Sequence, residues 1–145
     1  MKLVESEIEL SVAPAQVWIA LTDFASYPTW NPFLIKMDAA LRKDAQFKAM
    51  SRLPSGLKLG FVGRILSVTP NEEVAWVGHP TMMPAWAMEV RHTITLAPTE
   101  QGTRMHQLEE ASGSLIPMSG WILGQAHDGQ VAMNNALQQK LQGGR

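Results

Sequence analysis

The sequence has 145 residues, of which 46% are hydrophobic and 17% are charged, and its formal net charge is -1. This balance is that of a folded globular protein and excludes an intrinsically disordered chain. No apolar run approaches the roughly 18 residues of a membrane-spanning helix, and the small net charge argues against nucleic acid or an anionic membrane as the main partner.

The chain contains no cysteine, which excludes disulfides and thiol chemistry. Acidic residues among the first ten positions argue against a secretory signal, so we expect a cytoplasmic protein with no membrane insertion. The length predicts a single domain over residues 1–145. The oligomeric state is left open between a monomer and a homodimer.

The N-terminal part predicts one strand followed by two short helices. Residues 3–12 partly alternate between apolar and polar side chains, as in a strand with one face in water. Pro14 suits the first turn of a helix, and residues 17–24 carry apolar side chains at helical spacing. A second short helical turn is predicted at residues 25–27, ending at Pro28.

Residues 27–33 form a stiff aromatic segment. Pro28 and Pro32 forbid a regular helix over this stretch and hold it near extended or turn geometry. The three aromatic residues Tyr27, Trp30 and Phe33 are therefore either a plug of core aromatics or a lip that contacts a ligand.

From Phe33 onward the pattern predicts six more strands. Alternating side chains or β-type composition place them at residues 33–38, 46–51, 57–65, 74–77, 86–96 and 103–112. Turns are predicted at residues 54–56, 70–71 and 98–102, and a loop at residues 79–84 carries two prolines and two methionines.

A long helix is predicted over residues 117–141, the one extended run with helical periodicity. Its apolar or small face is formed by Ile122, Ala126, Gly129, Met133, Ala136, Leu137 and Leu141. Glycine in a helix interior costs about 1 kcal/mol relative to alanine. Gly120, Gly124 and Gly129 therefore indicate close backbone approach, or space kept open beside the helix.

The order of these elements is one strand, two short helices, six strands and one long helix. Neighbouring antiparallel strands with segregated helices predict the α+β class. We expect a curved antiparallel sheet of about seven strands, wrapped around the C-terminal helix, with a pocket between the two.

With this order in place, three stretches resemble the SRPBCC or START-like superfamily, which has the helix-grip fold of birch-pollen-type allergens. They are residues 13–33, residues 74–113 and the run Ala132-Met133-Asn134-Asn135-Ala136-Leu137. Within the superfamily the sequence looks most similar to bacterial polyketide cyclase/dehydratase-like proteins. The resemblance implies a deep apolar cavity for lipids, hormones, polyketides or similar molecules, in a superfamily of carriers, aromatase/cyclases and co-chaperone domains.

The sequence departs from the superfamily pattern at two positions. It has Gln130 where relatives often have an aromatic residue, and Gln107 where they often have histidine in the last strand. Both changes make inherited acid/base chemistry less certain.

His92 and Glu109 are the one pair of residues whose placement suggests chemistry. They fall on neighbouring predicted strands, and each shares its face with residues expected to point inward. They are either an acid/base pair for an aldol cyclisation or dehydration, or a buried polar pair that orients a ligand. The four histidines show no metal-site spacing, so we expect no metal and no cofactor.

The leading hypothesis is the binding of a small hydrophobic molecule between the sheet and the C-terminal helix. The residues expected to contact it are Trp30, Phe33, Phe61, Trp76, Trp86, Met88, His92, Met105, Glu109, Met118, Trp121 and Met133. Trp76 and Trp121 are alternatively core residues.

Two other functions stay open. One is a cyclase or dehydratase with His92 and Glu109 in acid/base roles. The other is a co-chaperone-like interaction domain, which predicts an exposed apolar patch and a small pocket.

Overall fold

The computed structural model describes residues 1–143. The strands and helices, in chain order, are β1 (Lys2–Leu10), α1 (Pro14–Thr22), α2 (Tyr27–Trp30), β2 (Leu34–Asp38), β3 (Gln46–Arg52), β4 (Lys58–Thr69), β5 (Glu73–Pro80), β6 (Glu89–Thr99), β7 (Gly102–Ser112) and α3 (Gly120–Gly143). Short 3-10 turns lie at Phe24–Ser26 and Ile116–Met118. None of the helices within residues 1–143 is long and apolar enough to cross a membrane.

All seven strands form one antiparallel sheet in the order β1-β7-β6-β5-β4-β3-β2. Strands β2 to β7 follow one another as neighbours, and β1 completes the sheet by pairing with β7. The sheet curls into a half-barrel around α3, which packs mainly against β1. This confirms the predicted α+β class and the helix-grip arrangement. A sheet with one apolar face has to bury that face against another element, and here the element is α3.

The short helix α2 corrects the prediction that the second helical turn covers residues 25–27 and ends at Pro28. It starts at Tyr27 and runs to Trp30, with Pro28 in its first turn. A proline is tolerated there because the N–H groups of the first turn have no partner inside the helix. The Tyr27 hydroxyl donates to the Leu21 carbonyl oxygen, and burial raises the pKa of this phenol, with the Asp23 carboxylate raising it further.

The connection between β5 and β6 corrects a second prediction. The strand expected from residue 86 begins only at Glu89, and β5 extends through Pro80. Between them the chain turns, with hydrogen bonds from Met83 N to Pro80 O at 3.1 Å and from Ala87 N to Pro84 O at 3.0 Å. Trp86 therefore does not share a strand face with His92.

Helix α3 begins three residues later than predicted, at Gly120, because residues 116–118 form a 3-10 turn. Its buried residues are Ala126, Gly129, Gln130, Met133, Asn134 and Leu137. The predicted apolar face is present, and two buried amide side chains extend it on one side. Of the three glycines considered from the sequence, only Gly129 marks a close approach, since a Cβ there would lie 2.3 Å from Phe33 Cδ1.

Candidate functional site

A cavity lies between the N-terminal half of α3 and the concave face of the sheet. The volume open to the centre of a water molecule is about 70 Å³. Its lining consists of Phe33, Leu34, Phe47, Ala49, Ser51, Leu53, Leu59, Phe61, Trp76, Gly78, Met88, Val90, His92, Glu109, Ile122, Leu123 and Ala126. One buried water needs about 10–15 Å³ on this measure, so the space holds a few waters or part of a small molecule.

Strand alternation sends these side chains inward. Phe47, Ala49 and Ser51 occupy alternate positions of β3, and Val90 and His92 occupy alternate positions of β6. Small residues at some of these positions leave volume unfilled, which is why a space remains between sheet and helix.

Trp76 forms the aromatic floor of the cavity. Its ring centroid lies 6.2 Å from that of Phe24 and 6.5 Å from that of Phe47, both edge-on. The His92 ring lies 4.9 Å away in a tilted arrangement. These contacts are in the range that stabilises aromatic pairs, so Trp76 and His92 are held in fixed orientations.

The polar end of the cavity is formed by His92 and Glu109, which are directly paired across β6 and β7. They do not hydrogen-bond to each other. His92 Nε2 is 2.8 Å from Gln107 Oε1, and Gln130 Nε2 donates to Glu109 Oε1 over 2.8 Å.

A chain of hydrogen-bonded side chains, all buried except the half-buried Ser6, joins these two groups. Gln107 Nε2 donates to Asn134 Oδ1 over 2.7 Å, and Asn134 Nδ2 donates to Ser6 Oγ over 3.0 Å. Ser6 Oγ donates to Gln130 Oε1 over 2.9 Å. We call the six residues His92, Gln107, Asn134, Ser6, Gln130 and Glu109 the polar chain.

The polar chain contains both residues at which the sequence departs from the superfamily pattern. Gln107 on β7 and Gln130 on α3 are buried. Ser6 on β1 lies between them and bonds to Gln130. Buried amides must be hydrogen-bonded to avoid a large desolvation cost. Here the amide groups of Gln107, Asn134 and Gln130 are hydrogen-bonded to their neighbours in the polar chain.

The structure brings half of the sequence-predicted ligand residues to the cavity. Those that line it are Phe33, Phe61, Trp76, Met88, His92 and Glu109. Met105 and Met133 are fully buried in the core and do not line the cavity. Trp30 lines a groove on the outside of the protein instead, and its indole Nε1 donates to Ser26 Oγ over 3.1 Å.

Three of the predicted ligand residues lie on the surface. The exposed fractions of Trp86, Met118 and Trp121 are 73%, 77% and 65%. Trp86 is in the β5–β6 connection, and Met118 and Trp121 flank the start of α3. The helical face puts Ile122 toward the cavity, which turns Trp121 outward.

Several lining residues were not predicted. The alternation of Phe47, Ala49 and Ser51 in β3 was the signal for three of them. Ile122 and Ala126 belong to the predicted inner face of the helix. Leu53 lies in a turn, outside any periodic pattern, so the sequence carried no signal for it.

Three connections form the end of the molecule near the cavity. They are residues 53–57, 81–88 and 113–119, and they contain no aspartate, glutamate, lysine or arginine. Ser114 N bonds to Trp86 O at 3.0 Å, and Ser55 N bonds to Gln125 Oε1 at 3.0 Å. We call this surface, with Met82, Trp86, Met118 and Trp121 exposed on it, the apolar end.

Metal-ligating side chains are not grouped in the part of the chain that the structure describes. Residues 1–143 contain no cluster of three or more histidine, aspartate or glutamate side chains arranged to hold an ion. The polar side chains that line the cavity carry one imidazole, one carboxyl group and one serine hydroxyl.

Comparison with solved structures supports the fold. Protein MLL2253 of Mesorhizobium loti has a TM-score of 0.79 at 24% identity, with 99% of each chain covered. Protein Ms6760 of Mycobacterium smegmatis has a TM-score of 0.78 at 14% identity, covering 99% of this chain and 92% of that one. DynU16, a protein of the dynemicin biosynthetic locus, has a TM-score of 0.77 at 17% identity. This chain is covered completely there but spans 49% of DynU16.

Comparison with sequences gives the family. No match was found among curated proteins. A family model described as polyketide cyclase / dehydrase and lipid transport matches residues 1–143. This agrees with the resemblance drawn from the sequence: the chain belongs to the polyketide cyclase / dehydrase and lipid transport family.

Proposed function

We propose that the protein binds a small, largely apolar molecule in the cavity between α3 and the sheet. The observation that carries this proposal is the composition of the cavity wall. Fourteen of the 17 lining residues are apolar or glycine, and the exceptions are Ser51, His92 and Glu109. Apolar walls with a few placed polar groups are typical of small-molecule sites, because the walls supply affinity and the polar groups fix orientation.

The size of the cavity limits the ligand. Its volume of about 70 Å³ is below the roughly 300–1,000 Å³ of typical drug-sized sites. The ligand is therefore the size of a single aromatic ring or a short alkyl chain, unless the wall moves outward. The turn between β3 and β4 is joined to α3 by the hydrogen bond from Ser55 N to Gln125 Oε1, so moving this turn away from α3 would break that bond.

Titration of the purified protein with benzene derivatives and short-chain alcohols tests the proposal. Binding should raise the melting temperature and change Trp76 emission, because Trp76 lines the cavity. Ala126→Leu places a larger side chain in the cavity and should abolish both signals. Ala132→Leu, on the exposed side of α3, is the matched control and should leave them unchanged.

Ala49→Val is a smaller change that reduces the same cavity from the β3 side. It replaces Ala126→Leu as the test variant if Ala126→Leu unfolds the protein. No change in melting temperature or emission with any compound of the panel would rule out the proposal.

A second candidate function is proton transfer in a cyclisation or dehydration. It is favoured by the position of His92 and Glu109, which face each other across neighbouring strands and both line the cavity. A substrate between them would meet two separate proton-transfer groups. Mass spectrometry of the bound material distinguishes the candidates, since binding alone returns the compound unchanged. Turnover should require both side chains and disappear in His92→Phe.

Two observations favour the third candidate function, a co-chaperone-like interaction domain. The cavity is small, and Met82, Trp86, Met118 and Trp121 are exposed together at the apolar end. Large exposed apolar side chains in connections that contain no charged residue are typical of contact sites. This alternative predicts that the Ala126→Leu variant retains the function, because the contact surface lies outside the cavity.

A further inference from the structure

At the Glu109 end of the polar chain, two hydrogen-bond acceptors fix the orientation of the Gln130 amide. Gln130 Nε2 lies 3.2 Å from the Val4 carbonyl oxygen and 2.8 Å from Glu109 Oε1. A carbonyl oxygen and an ionised carboxylate only accept hydrogen bonds. An amide turned the other way would place its oxygen against both, so the NH₂ group points here and Gln130 Oε1 faces Ser6.

The directions of the remaining bonds follow from this start. Ser6 gives its only proton to Gln130 Oε1, so it accepts from Asn134 Nδ2. Asn134 Oδ1 then accepts from Gln107 Nε2, which leaves Gln107 Oε1 facing His92 Nε2. Because that oxygen only accepts, the imidazole proton is on Nε2.

The polar chain thus selects one tautomer of His92. With the proton on Nε2, the neutral ring carries its lone pair on Nδ1, which accepts a hydrogen bond and cannot donate one. Within residues 1–143 the side chain makes one hydrogen bond, the one through Nε2. Nδ1 is therefore the ring nitrogen that can meet a ligand in the cavity that His92 lines.

Glu109 presents a second acceptor at the same end. Its Oε1 is bonded to Gln130, and within the described chain this is the side chain's one hydrogen bond. Oε2 is then open to a ligand, because Glu109 lines the cavity. Ser51, the third polar lining residue, does not select between ligands, since a hydroxyl both donates and accepts.

From these directions we infer that the ligand carries a hydrogen-bond donor at its polar end, a hydroxyl of the alcohol or phenol class, and that the site rejects carboxylates of similar shape. The inference rests on the proposed binding function. A hydroxyl donates to His92 Nδ1 or Glu109 Oε2 without adding a further charge to the cavity. A carboxylate offers neither acceptor a proton and places a second negative charge beside Glu109, inside apolar walls.

Phenol, toluene and benzoate test the inference because they differ only in one ring substituent. Calorimetric titration at neutral pH should give phenol a Kd about tenfold or more below that of toluene, as expected for a hydrogen bond to a charged group. Benzoate should bind more weakly than toluene. Glu109→Gln should reduce the preference for phenol over benzoate, because an amide also donates.

Glu110→Gln is the matched control, since Glu110 is the next residue of β7 and points to the other face of the sheet. It should leave all three Kd values unchanged. Nitrogen-15 NMR of the His92 ring provides a readout independent of any ligand and should show the proton on Nε2. Gln107→Leu should mix the two tautomers, which identifies Gln107 as a positioning residue.

The outcomes separate this inference from the proposed function. The inference is overturned if benzoate binds as tightly as phenol, or if phenol binds no tighter than toluene. In either case, binding of toluene would still support the cavity as a ligand site. A proton found on His92 Nδ1 also overturns it. If none of the three compounds binds, both the inference and the proposed function fail.

Discussion

Tyr27 is the only tyrosine in the sequence, and its side chain is fully buried at the start of α2. Its hydroxyl donates to the Leu21 carbonyl oxygen, which ties α2 back to α1. Burial, with a smaller contribution from Asp23, raises the pKa of this phenol above its ordinary value of 10.0.

The raised pKa predicts a loss of stability at alkaline pH. The unfolded chain releases the phenol proton above pH 10.0, whereas the folded protein keeps it. The stability from this group is therefore complete below that pH and decreases as the pH rises, by up to about 1.4 kcal/mol per pH unit. Urea unfolding at a series of pH values measures the slope, and absorbance of the phenolate should appear only on unfolding.

Tyr27→Phe is the control for this prediction. It removes the titrating group, so the slope above pH 10.0 should become shallower than in the wild type. It also leaves the Leu21 carbonyl oxygen without its donor, at an expected cost of about 1–3 kcal/mol at neutral pH. Phenolate absorbance from the folded protein would contradict the buried hydroxyl.

At the scale of the element, two glycines of α3 have opposite surroundings. A Cβ at Gly129 would lie 2.3 Å from the Phe33 ring, while a Cβ at Gly124 would have no atom within 4 Å. Gly129 is therefore required by packing, and Gly124 is exposed and carries only the helix-propensity cost of glycine.

Alanine substitutions should separate these two roles. Gly129→Ala should lower the free energy of unfolding by about 1–3 kcal/mol, because Phe33 has to move. Gly124→Ala should raise it by roughly 1 kcal/mol, because alanine favours the helix and meets no neighbour. Chemical denaturation of both variants measures the difference, and equal effects would contradict the close approach of Phe33 to Gly129.

The strands and α3 were predictable because their buried faces repeat with a regular period. His92, Ile94 and Leu96 alternate along β6, and each is buried. In the sequence the alternation extends back to Trp86. The structure instead has a turn there, closed by the hydrogen bond from Ala87 N to Pro84 O, and the strand begins only at Glu89. Periodicity identifies an element more reliably than it identifies the ends of the element.

The polar chain could not be predicted by the same reasoning. Gln107 and Gln130 stand out in the sequence only as departures from relatives, and polar residues on a buried face contradict the expected pattern. Their partners depend on the side-by-side position of β1, β7 and α3, which no local pattern encodes. For this reason the sequence predicted the cavity, but it did not predict the hydrogen bonds that orient the polar groups lining it.

On the scale of the whole molecule, charge is distributed unequally between the two ends of the sheet. The connections at the apolar end, residues 53–57, 81–88 and 113–119, are uncharged. At the opposite end, residues 39–45, 70–72 and 100–101 include Arg42, Lys43, Asp44, Glu72 and Glu100. The apolar end therefore meets its surroundings through Met and Trp side chains.

Exposure of Trp86 and Trp121 predicts which of the five tryptophans a soluble quencher reaches. Replacing both by phenylalanine should remove most of the quenching of tryptophan emission by iodide, because Trp18 and Trp76 are buried and Trp30 is only partly exposed. Trp18→Phe, which removes a buried indole, is the matched control and should leave the quenching nearly unchanged. Equal quenching in the double variant and the wild type would contradict the surface position of the two residues.

The polar chain also constrains when the site can exist during synthesis. Ser6 bonds to Gln130 and Asn134, partners that are 124 and 128 positions away along the chain. Closing contacts of such long separation is entropically costly and waits until most of the chain is available. A nascent chain still attached to the ribosome without α3 therefore exposes the concave face of its sheet. The two acceptors, His92 Nδ1 and Glu109 Oε2, are therefore oriented only after α3 has packed against β1.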